Sequence, residues 1–249
     1  VLEHAAEPLW FTVLLNKLLA APLASGLEAL GIEVEHPAAP IPDHIAMQVL
    51  VLFILIAGAY TLRRRLSVTQ PGKFQQVMEV VIQFLRSLVD EIVGPVGRKY
   101  LPLLGTIGLF IVLMNLMGLV PGFSTPTAYA AVPFGLSLVV VGIYLFAGVH
   151  HHGFLGYMKS LCGPLLVMTP LFFVLELGVP LIARPLSLTA RLWANMNVGT
   201  VLEHEFAKLV PILVPAIFMG LHVVVAMIQA YIFILLPCVY LGMAVSEEH

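Results

Sequence analysis

The stretch LVPILVPAIFMGLHVVVAMIQAYIFILLPCVYLGMAVS, residues 209–246, decides the fold, because its 38 residues include no Asp, Glu, Lys or Arg. A single helix of that length would measure about 57 Å, whereas the hydrocarbon core of a bilayer is about 30 Å thick. The segment therefore predicts a membrane helix that tilts steeply or breaks near Pro211, Pro215 or Pro237. A tilted helix at membrane depth also indicates a surface that faces something other than lipid alone.

Further apolar blocks precede this one, and we predict an all-α polytopic membrane protein with about five crossings, the last two long and tilted. The chain is 60% hydrophobic and only 10% charged, against about 25% charged in a soluble domain. The apolar runs are continuous rather than alternating, which argues against a β-barrel. The predicted parts are an external segment 1–43, a single membrane domain 44–249 with spans 44–62, 101–120, 132–149, 165–208 and 211–245, and an amphipathic surface helix 73–93.

The composition also excludes several functions. A net charge of −2 gives no reason to expect nucleic-acid binding, and the sequence contains no phosphate-binding loop and no nucleophile paired with a base. Cys162 and Cys238 lack metal-ligand spacing, and the run 150–152 of three His is typical of a solvated helix end. We therefore expect neither a metal nor a cofactor.

Orientation follows from the distribution of Lys and Arg. Seven of the 12 lie between residues 62 and 100, whereas residues 1–43 contain six acids and only Lys17. The positive-inside rule places the 62–100 loop in the cytoplasm or matrix and the N-terminus outside. Five crossings would place the C-terminus inside.

Arg191 is the only formal charge in PLSLTARLWANMNVGTVL, residues 185–202. An Arg within a membrane helix costs from ~3 to more than ~10 kcal/mol, so its default interpretation is a functional site with a carboxylate partner or an ion path. No acid lies one helical turn away, which points to a partner on another subunit. Asn195, four residues on, faces the same way, whereas Glu203 and His204 flank the direction of Thr200 on the opposite side.

The last helix has one polar stripe, formed by His222, Gln229 and Tyr240, whose spacings of 7 and 11 return to nearly the same helical angle. Pairing this helix with the Arg191 helix would bring Arg191 near Gln229. The same pairing would bring Glu203 or His204 near His222. Alternatives stay open from the residues alone, because membrane Gln and His residues also serve as interhelical packing groups, and Glu203 lies where a helix could end at the membrane surface.

Four motifs stand out from about residue 42 onward: PGKFQ (71–75), LMNLMGLVPG (113–122), ARPLSLTARLWANM (183–196) and LHVVVAMIQAYIFILLPCVYLGMAVSEEH (221–249). Together they resemble the subunit a family of F-type ATP synthases, bacterial type. The resemblance implies a stator beside a ring of c subunits, with peripheral-stalk b subunits and lipid as the other partners, in the bacterial inner membrane or an organellar one.

The same resemblance implies a mechanism in which two offset aqueous half-channels open to opposite sides and meet the ring carboxylates. Arg191 matches the family's essential Arg, which attracts the ionised carboxylate and separates the half-channels. Gln229 and Asn195 match its polar neighbours. The implied proton path comprises Glu203, His222, His204, Tyr240, Asn115 and Glu176.

Two departures from the family pattern affect the external half-channel. Thr200 stands where many members have Glu, and Gly118 stands where one version of the second motif has an acid. Glu203, one turn beyond Thr200, is the candidate replacement. The coupling ion, H⁺ or Na⁺, and the ring size are set by other subunits.

Two other classes compete with this hypothesis. A secondary ion transporter would need its own midplane acid, for which Glu176 is the sole candidate, and usually an internal repeat, which the sequence lacks. A purely structural membrane subunit would not need Arg191 or the polar stripe of the last helix.

Overall fold

The computed structural model describes residues 9–29, 39–120, 123–161, 178–207 and 213–245. Every regular element in these ranges is helical, with short 3₁₀ helices at Pro95–Tyr100 and Pro126–Ala128. The α-helices are α1 (Trp10–Ala29), α2 (Asp43–Arg64), α3 (Lys73–Ile92), α4 (Leu101–Met117), α5 (Ala131–Leu161), α6 (Val179–Ala207) and α7 (Leu213–Val245). The predicted all-α class is confirmed.

Four helical segments in the described ranges are long and apolar enough to cross a membrane: Asp43–Arg64, Pro95–Met117, Ala131–His151 and Ala216–Ala244. Helix α6 is 29 residues long but is less apolar, because it contains two Arg and two Glu residues. The polytopic membrane class is thus confirmed, with α6 as the helix that places ionisable groups among these spans. Glu176, Cys162, Pro211 and the beginning of the predicted 165–208 span lie outside the described residues.

The sequence predicted either a tilted helix or a break near a proline. Helix α7 continues through Pro237, so there is no break at that residue. Its 33 residues give a length of about 50 Å, which exceeds the bilayer core of about 30 Å. A helix of this length must tilt or project beyond the hydrocarbon. Helix α5, by contrast, is kinked at Gly153, whose φ of 70° is in the left-handed region that favours glycine.

One apolar cluster joins α2, α4, α6 and α7 at the centre of the bundle. Met47, Ile111, Met114, Leu192 and Met196 are each at most 1% exposed within it. Complete burial of such side chains contributes about 1.5–3 kcal/mol each in water, and close packing takes over that role within lipid. The buried face of α6 is therefore fixed by Leu192 and Met196.

A second cluster attaches the amphipathic helix α3 to the bundle. Leu88 and Val89 of α3 pack with Tyr144 of α5 and with Cys238 and Leu241 of α7. The opposite face of α3 is exposed, as the predicted surface helix requires. Residues 73–92 thus lie against the bundle on one side and leave an amphipathic surface on the other.

Helix α1 is held to the beginning of α2 by a reciprocal side-chain bridge. The Asn16 amide donates to the Ile41 carbonyl and accepts from the Ile41 N–H, both at 3.0 Å. Asp43 accepts a further hydrogen bond from the Leu9 N–H at 3.3 Å. Because Asn16 is buried, these bonds satisfy an amide that would be costly to leave unpaired.

Candidate functional site

Arg191 lies on the exposed face of α6, and Asn195 lies one turn further along on the same face. The buried residues Leu188, Leu192 and Met196 hold the opposite face of α6 in the core. In the ranges that the structure describes, Arg191 makes no hydrogen bond, ion pair or ring contact. The guanidinium is therefore presented outward, without a partner from the described parts of its own chain.

Small side chains adjoin Arg191 on the side toward the beginning of α6. Ala183 and Ser187 precede it at four-residue intervals on the same face, and Ala190 adjoins it; all three are exposed. Small residues allow the backbone of a second helix to approach closely in a membrane. The face around Arg191 thus has space for another helix beside the positive charge.

His222 of α7 is buried at the junction of three helices. Its Nε2 lies 3.3 Å from the Asn115 carbonyl oxygen of α4. Its Nδ1 faces α6 so closely that a Cβ added at Gly199 would lie 3.3 Å from it. When Nε2 holds the proton and donates to Asn115, Nδ1 is left as an acceptor on the α6 side.

Asn115 extends this polar junction toward the loop that follows α4. Its side chain is fully buried, and its Oδ1 accepts a hydrogen bond of 2.7 Å from the Thr127 hydroxyl. Its Nδ2 has no hydrogen-bond partner among the residues described. Asn115, Thr127 and His222 thus form a continuous polar group in an apolar bundle, which the spacing on α7 alone did not reveal.

Tyr240 lies at the other end of α7, against an arginine that the sequence reasoning did not single out. The Arg184 guanidinium lies 4.2 Å from the centre of the Tyr240 ring and 5.0 Å from that of Tyr144. The two rings meet edge to face at 6.0 Å. Arg184 is the one charged residue in the apolar run 178–190, and a charge within such a run is the signal that could have identified it.

These two contacts fix the register of α6 against α7. Gly199 faces His222 near one end, and Arg184 faces Tyr240 near the other, so the helices run antiparallel. Both helices rise by the same distance per residue, so the level of Arg191 can be counted from the two contacts. It lies level with the turn 230–233 of α7, which follows Gln229 directly. Gln229 itself is buried, with 5% of its surface exposed.

Hydrogen bonds hold α6 at this register. The Asn197 amide donates to the Ala128 carbonyl at 2.8 Å, across the bundle, and the Thr189 and Ser137 hydroxyls lie 3.2 Å apart between α6 and α5. The Thr200 hydroxyl donates to the Met196 and Asn197 carbonyls of its own helix. Thr200 thus satisfies its hydroxyl locally, and Glu203 and His204 lie on the following turn of α6 with side chains outside the described part.

Comparison with known proteins identifies the family. A family model for the ATP synthase A chain matches residues 45–242. The chain is 41% identical over 241 residues to ATP synthase subunit a of Koribacter versatilis, covering 97% of this chain and 98% of that protein. It is 43% identical over 212 residues to subunit a of Solibacter usitatus, covering 85% and 91%, and 36% identical over 215 residues to that of Aquifex aeolicus, covering 82% and 95%.

The matched region runs from α2 to α7 and leaves out only the first residues of α2 and the last residues of α7. The likeness therefore covers the whole site. The relatives are bacterial, and the described spans are those of a membrane protein. The resemblance predicted from the four motifs is confirmed. The chain belongs to the ATP synthase subunit a family, the proton-channel subunit of the membrane sector Fo.

Proposed function

We propose that this chain is the stator that brings protons to and from a rotating ring of c subunits, with Arg191 as the barrier between two offset half-channels. The observation that supports this most is the exposed guanidinium of Arg191, unpaired within the described residues and flanked by small side chains. A cation at membrane depth needs a counter-charge. A carboxylate on a neighbouring ring helix supplies it.

Electrostatics explains what Arg191 does to such a carboxylate. An opposite charge within about 4–6 Å favours the ionised form of a carboxyl group and lowers its pKa by about 1–3 units. Arg191 therefore promotes release of the proton as a ring carboxylate reaches it. Because a guanidinium stays protonated, it also cannot relay a proton from one half-channel to the other.

The external half-channel is proposed to run through the polar junction of Asn115 and His222. His222 faces α6 at Gly199, eight residues beyond Arg191, which corresponds to about 12 Å along the helix. Glu203 and His204 follow on the next turn and are the proposed continuation of this route. Glu203 is proposed to substitute for the Glu that many members of the family have at the position of Thr200. Protons reach the ring on one side of Arg191 by this path.

The internal half-channel is proposed to lie at the opposite end of α6 and α7, near Tyr240. Tyr240 is 18 residues from His222, about 27 Å along α7, so the two polar groups lie close to opposite sides of the bilayer. Arg191, Asn195 and Gln229 lie between these levels. This separation is what a two-channel stator requires, since one continuous path would dissipate the gradient.

The remaining parts of the proposal concern partners and orientation. Peripheral-stalk b subunits and lipid complete the surroundings, with the N-terminus outside and the C-terminus in the cytoplasm. Protons are the proposed coupling ion, and each contributes about 2.3 kcal/mol per 100 mV of membrane potential. Glu176 is kept as a further candidate on the proton path.

One experiment separates this function from that of an autonomous transporter. The purified chain alone and the complete ATP synthase are each reconstituted in liposomes, and proton uptake is measured under an imposed potential. We expect coupled uptake and ATP synthesis from the complete complex and no ion exchange from the chain alone. Cation–proton exchange by the chain alone would favour the antiporter alternative and contradict the stator.

A further inference from the structure

The loop between α4 and the 3₁₀ helix Pro126–Ala128 contains buried hydroxyl groups that the proposed path has not used. Thr125 is 4% exposed, and its Oγ1 has no hydrogen-bond partner in the described ranges. The Oγ of the half-buried Ser124 also has no hydrogen-bond partner there. The Nδ2 of the fully buried Asn115 is likewise unpaired. Buried polar groups are nearly always hydrogen-bonded, to protein or to water, so three unpaired groups in one region need an explanation.

Two of the three groups lie at the last turn of α4. Thr125 Oγ1 occupies the space where a Cβ at Gly118 would be, so the hydroxyl lies against the end of α4. Asn115 lies one helical turn before Gly118, and its Oδ1 is bound by Thr127, two residues after Thr125. Thr125 and Asn115 thus meet at the end of α4, and Ser124 directly precedes Thr125 in the chain.

An ordinary structural role does not account for Thr125. It is the N-cap residue of the 3₁₀ helix, where a Thr side chain commonly accepts a hydrogen bond from a backbone N–H, yet here the side chain makes no capping bond. Its β-branched shape could be supplied equally well by Val. The hydroxyl group is retained in a buried position without a protein partner.

Burial increases along the series from the loop to His222. Ser124 is half-buried, Thr125 is 4% exposed and Asn115 is fully buried. The Asn115 carbonyl then meets His222 Nε2 at 3.3 Å. Burial thus increases from Ser124 toward the histidine that faces α6.

We propose that Ser124, Thr125 and the Asn115 amide line a file of water molecules that conducts protons to His222, a hydroxyl-and-amide entrance to the external half-channel. The inference rests on the proposed stator function. Each water accepts a proton from its outer neighbour and releases one to its inner neighbour, so no atom or charge accumulates on the file. The side chains hold the waters with hydrogen bonds and are not themselves ionised.

Two substitutions at one position test this. Thr125→Val keeps the shape and removes the oxygen, whereas Thr125→Ser keeps the oxygen. In vesicles holding the membrane sector without its soluble catalytic part, we expect Thr125→Val to lower passive proton flux by about tenfold and Thr125→Ser to keep flux within about twofold of wild type. Thr106→Val on α4 is the matched control, because the Thr106 hydroxyl is exposed and already donates to the Pro102 carbonyl.

The outcomes are distinct. Wild-type flux in Thr125→Val would overturn the proposal, because a merely buried hydroxyl without a partner can be removed without loss. A failure of the stator function would appear separately, as a membrane sector whose wild-type flux does not respond to Arg191→Ala. Equal losses in Thr125→Val and Thr106→Val would also overturn it.

A second measurement does not depend on how well Thr125→Val assembles. Thr125→Cys, in a background with Cys162→Ala and Cys238→Ala, is exposed to silver ions, and proton flux is followed. We expect inhibition, because a water file admits a small hydrated cation to the thiolate. Unchanged flux at saturating silver would show a dry site and refute the water file.

Discussion

Arg184 and Arg191 lie on one helix, about two turns apart, and have opposite environments. Arg184 is half-buried, with its guanidinium over the rings of Tyr144 and Tyr240. Arg191 is exposed and has no partner among the described residues. Under the proposed function, Arg184 is a packing group satisfied within its own chain, whereas Arg191 is available to a group on another subunit.

A third arginine provides the reference for an ordinary ion pair. Arg98 donates a hydrogen bond to each carboxylate oxygen of Asp90, with Nε···Oδ1 at 2.7 Å and Nη2···Oδ2 at 2.9 Å. The three arginines thus have three different environments: Arg98 binds a carboxylate, Arg184 packs on two aromatic rings, and Arg191 has no partner among the described residues. Only the last leaves an attraction available to a passing group.

Alanine substitutions distinguish the two arginines of α6. Arg191→Ala is expected to lower ATP synthesis by the assembled complex at least about 100-fold, because it removes a charge positioned for the ring carboxylate. Arg184→Ala is expected to lower it by no more than about tenfold. ATP synthesis in inverted vesicles measures both, and immunoblotting of the membranes controls for assembly. Equal losses in the two variants would remove the distinction.

A smaller effect is expected where α6 meets His222. Gly199→Ala would place a Cβ 3.3 Å from His222 Nδ1, so the ring must move by a few tenths of an ångström. We expect passive proton flux to fall about threefold, and Gly199→Val to lower it further, since proton transfer depends on hydrogen-bond distance.

Gly220→Ala on α7 is the control for Gly199→Ala, because a Cβ at position 220 meets nothing within 4 Å. Its flux should match wild type, with a slight gain in stability from the better helix former. A flux in Gly199→Val equal to that in Gly220→Ala would separate His222 from the proton route.

Removing the ring over Arg184 should lower the stability of the complex. Tyr240→Leu loses the cation–π contact at 4.2 Å, a contribution of about 0.5–2 kcal/mol. We expect a lower temperature of thermal disassembly of the complex, followed by light scattering or native gels. Tyr60→Leu is the matched control, because Tyr60 is exposed and its contact with Arg64 at 4.4 Å lies at a helix end. A larger effect from Tyr60→Leu would contradict the role given to Arg184.

The smallest effect is expected at the Asp90–Arg98 pair. The hydrogen bond from Arg98 lowers the pKa of Asp90 below its usual value. The pair therefore stabilises the folded state above the unfolded pKa of about 3.9, and that contribution is lost only as pH falls through the lowered value. Between pH 5 and 8, the thermal stability of the complex should not change through this group. Asp90→Asn should differ little from wild type, and a steep pH dependence that vanishes in Asp90→Asn would show the pair to be more strongly coupled.

The sequence predicted most of the fold because membrane helices are determined by local composition. The uncharged run 209–246 was enough to indicate the class, whereas Arg191 stays a prediction as the central residue of the site. The continuity of α7 through Pro237 was not predictable, since proline removes a helical hydrogen bond but neighbouring helices and local adjustments compensate in membranes.

The junction around His222 depends on contacts that no local pattern encodes. The stripe on α7 predicted which residues share a face, but the partners of His222 come from Asn115, 107 residues away, and from the absence of a side chain at Gly199. Arg184 was missed for the same reason, because its two tyrosines are contributed by α5 and α7. Periodicity identifies faces, whereas long-range pairing requires the structure.

The proposed separation of two half-channels by Arg191 is tested by the proton leak through the membrane sector of the assembled complex with Arg191→Ala. ATP synthesis is measured in the same vesicles. We expect lost synthesis with a proton leak above wild type, because removal of the guanidinium joins the two paths. Synthesis and leak that both remain at wild-type levels would contradict the role proposed for Arg191.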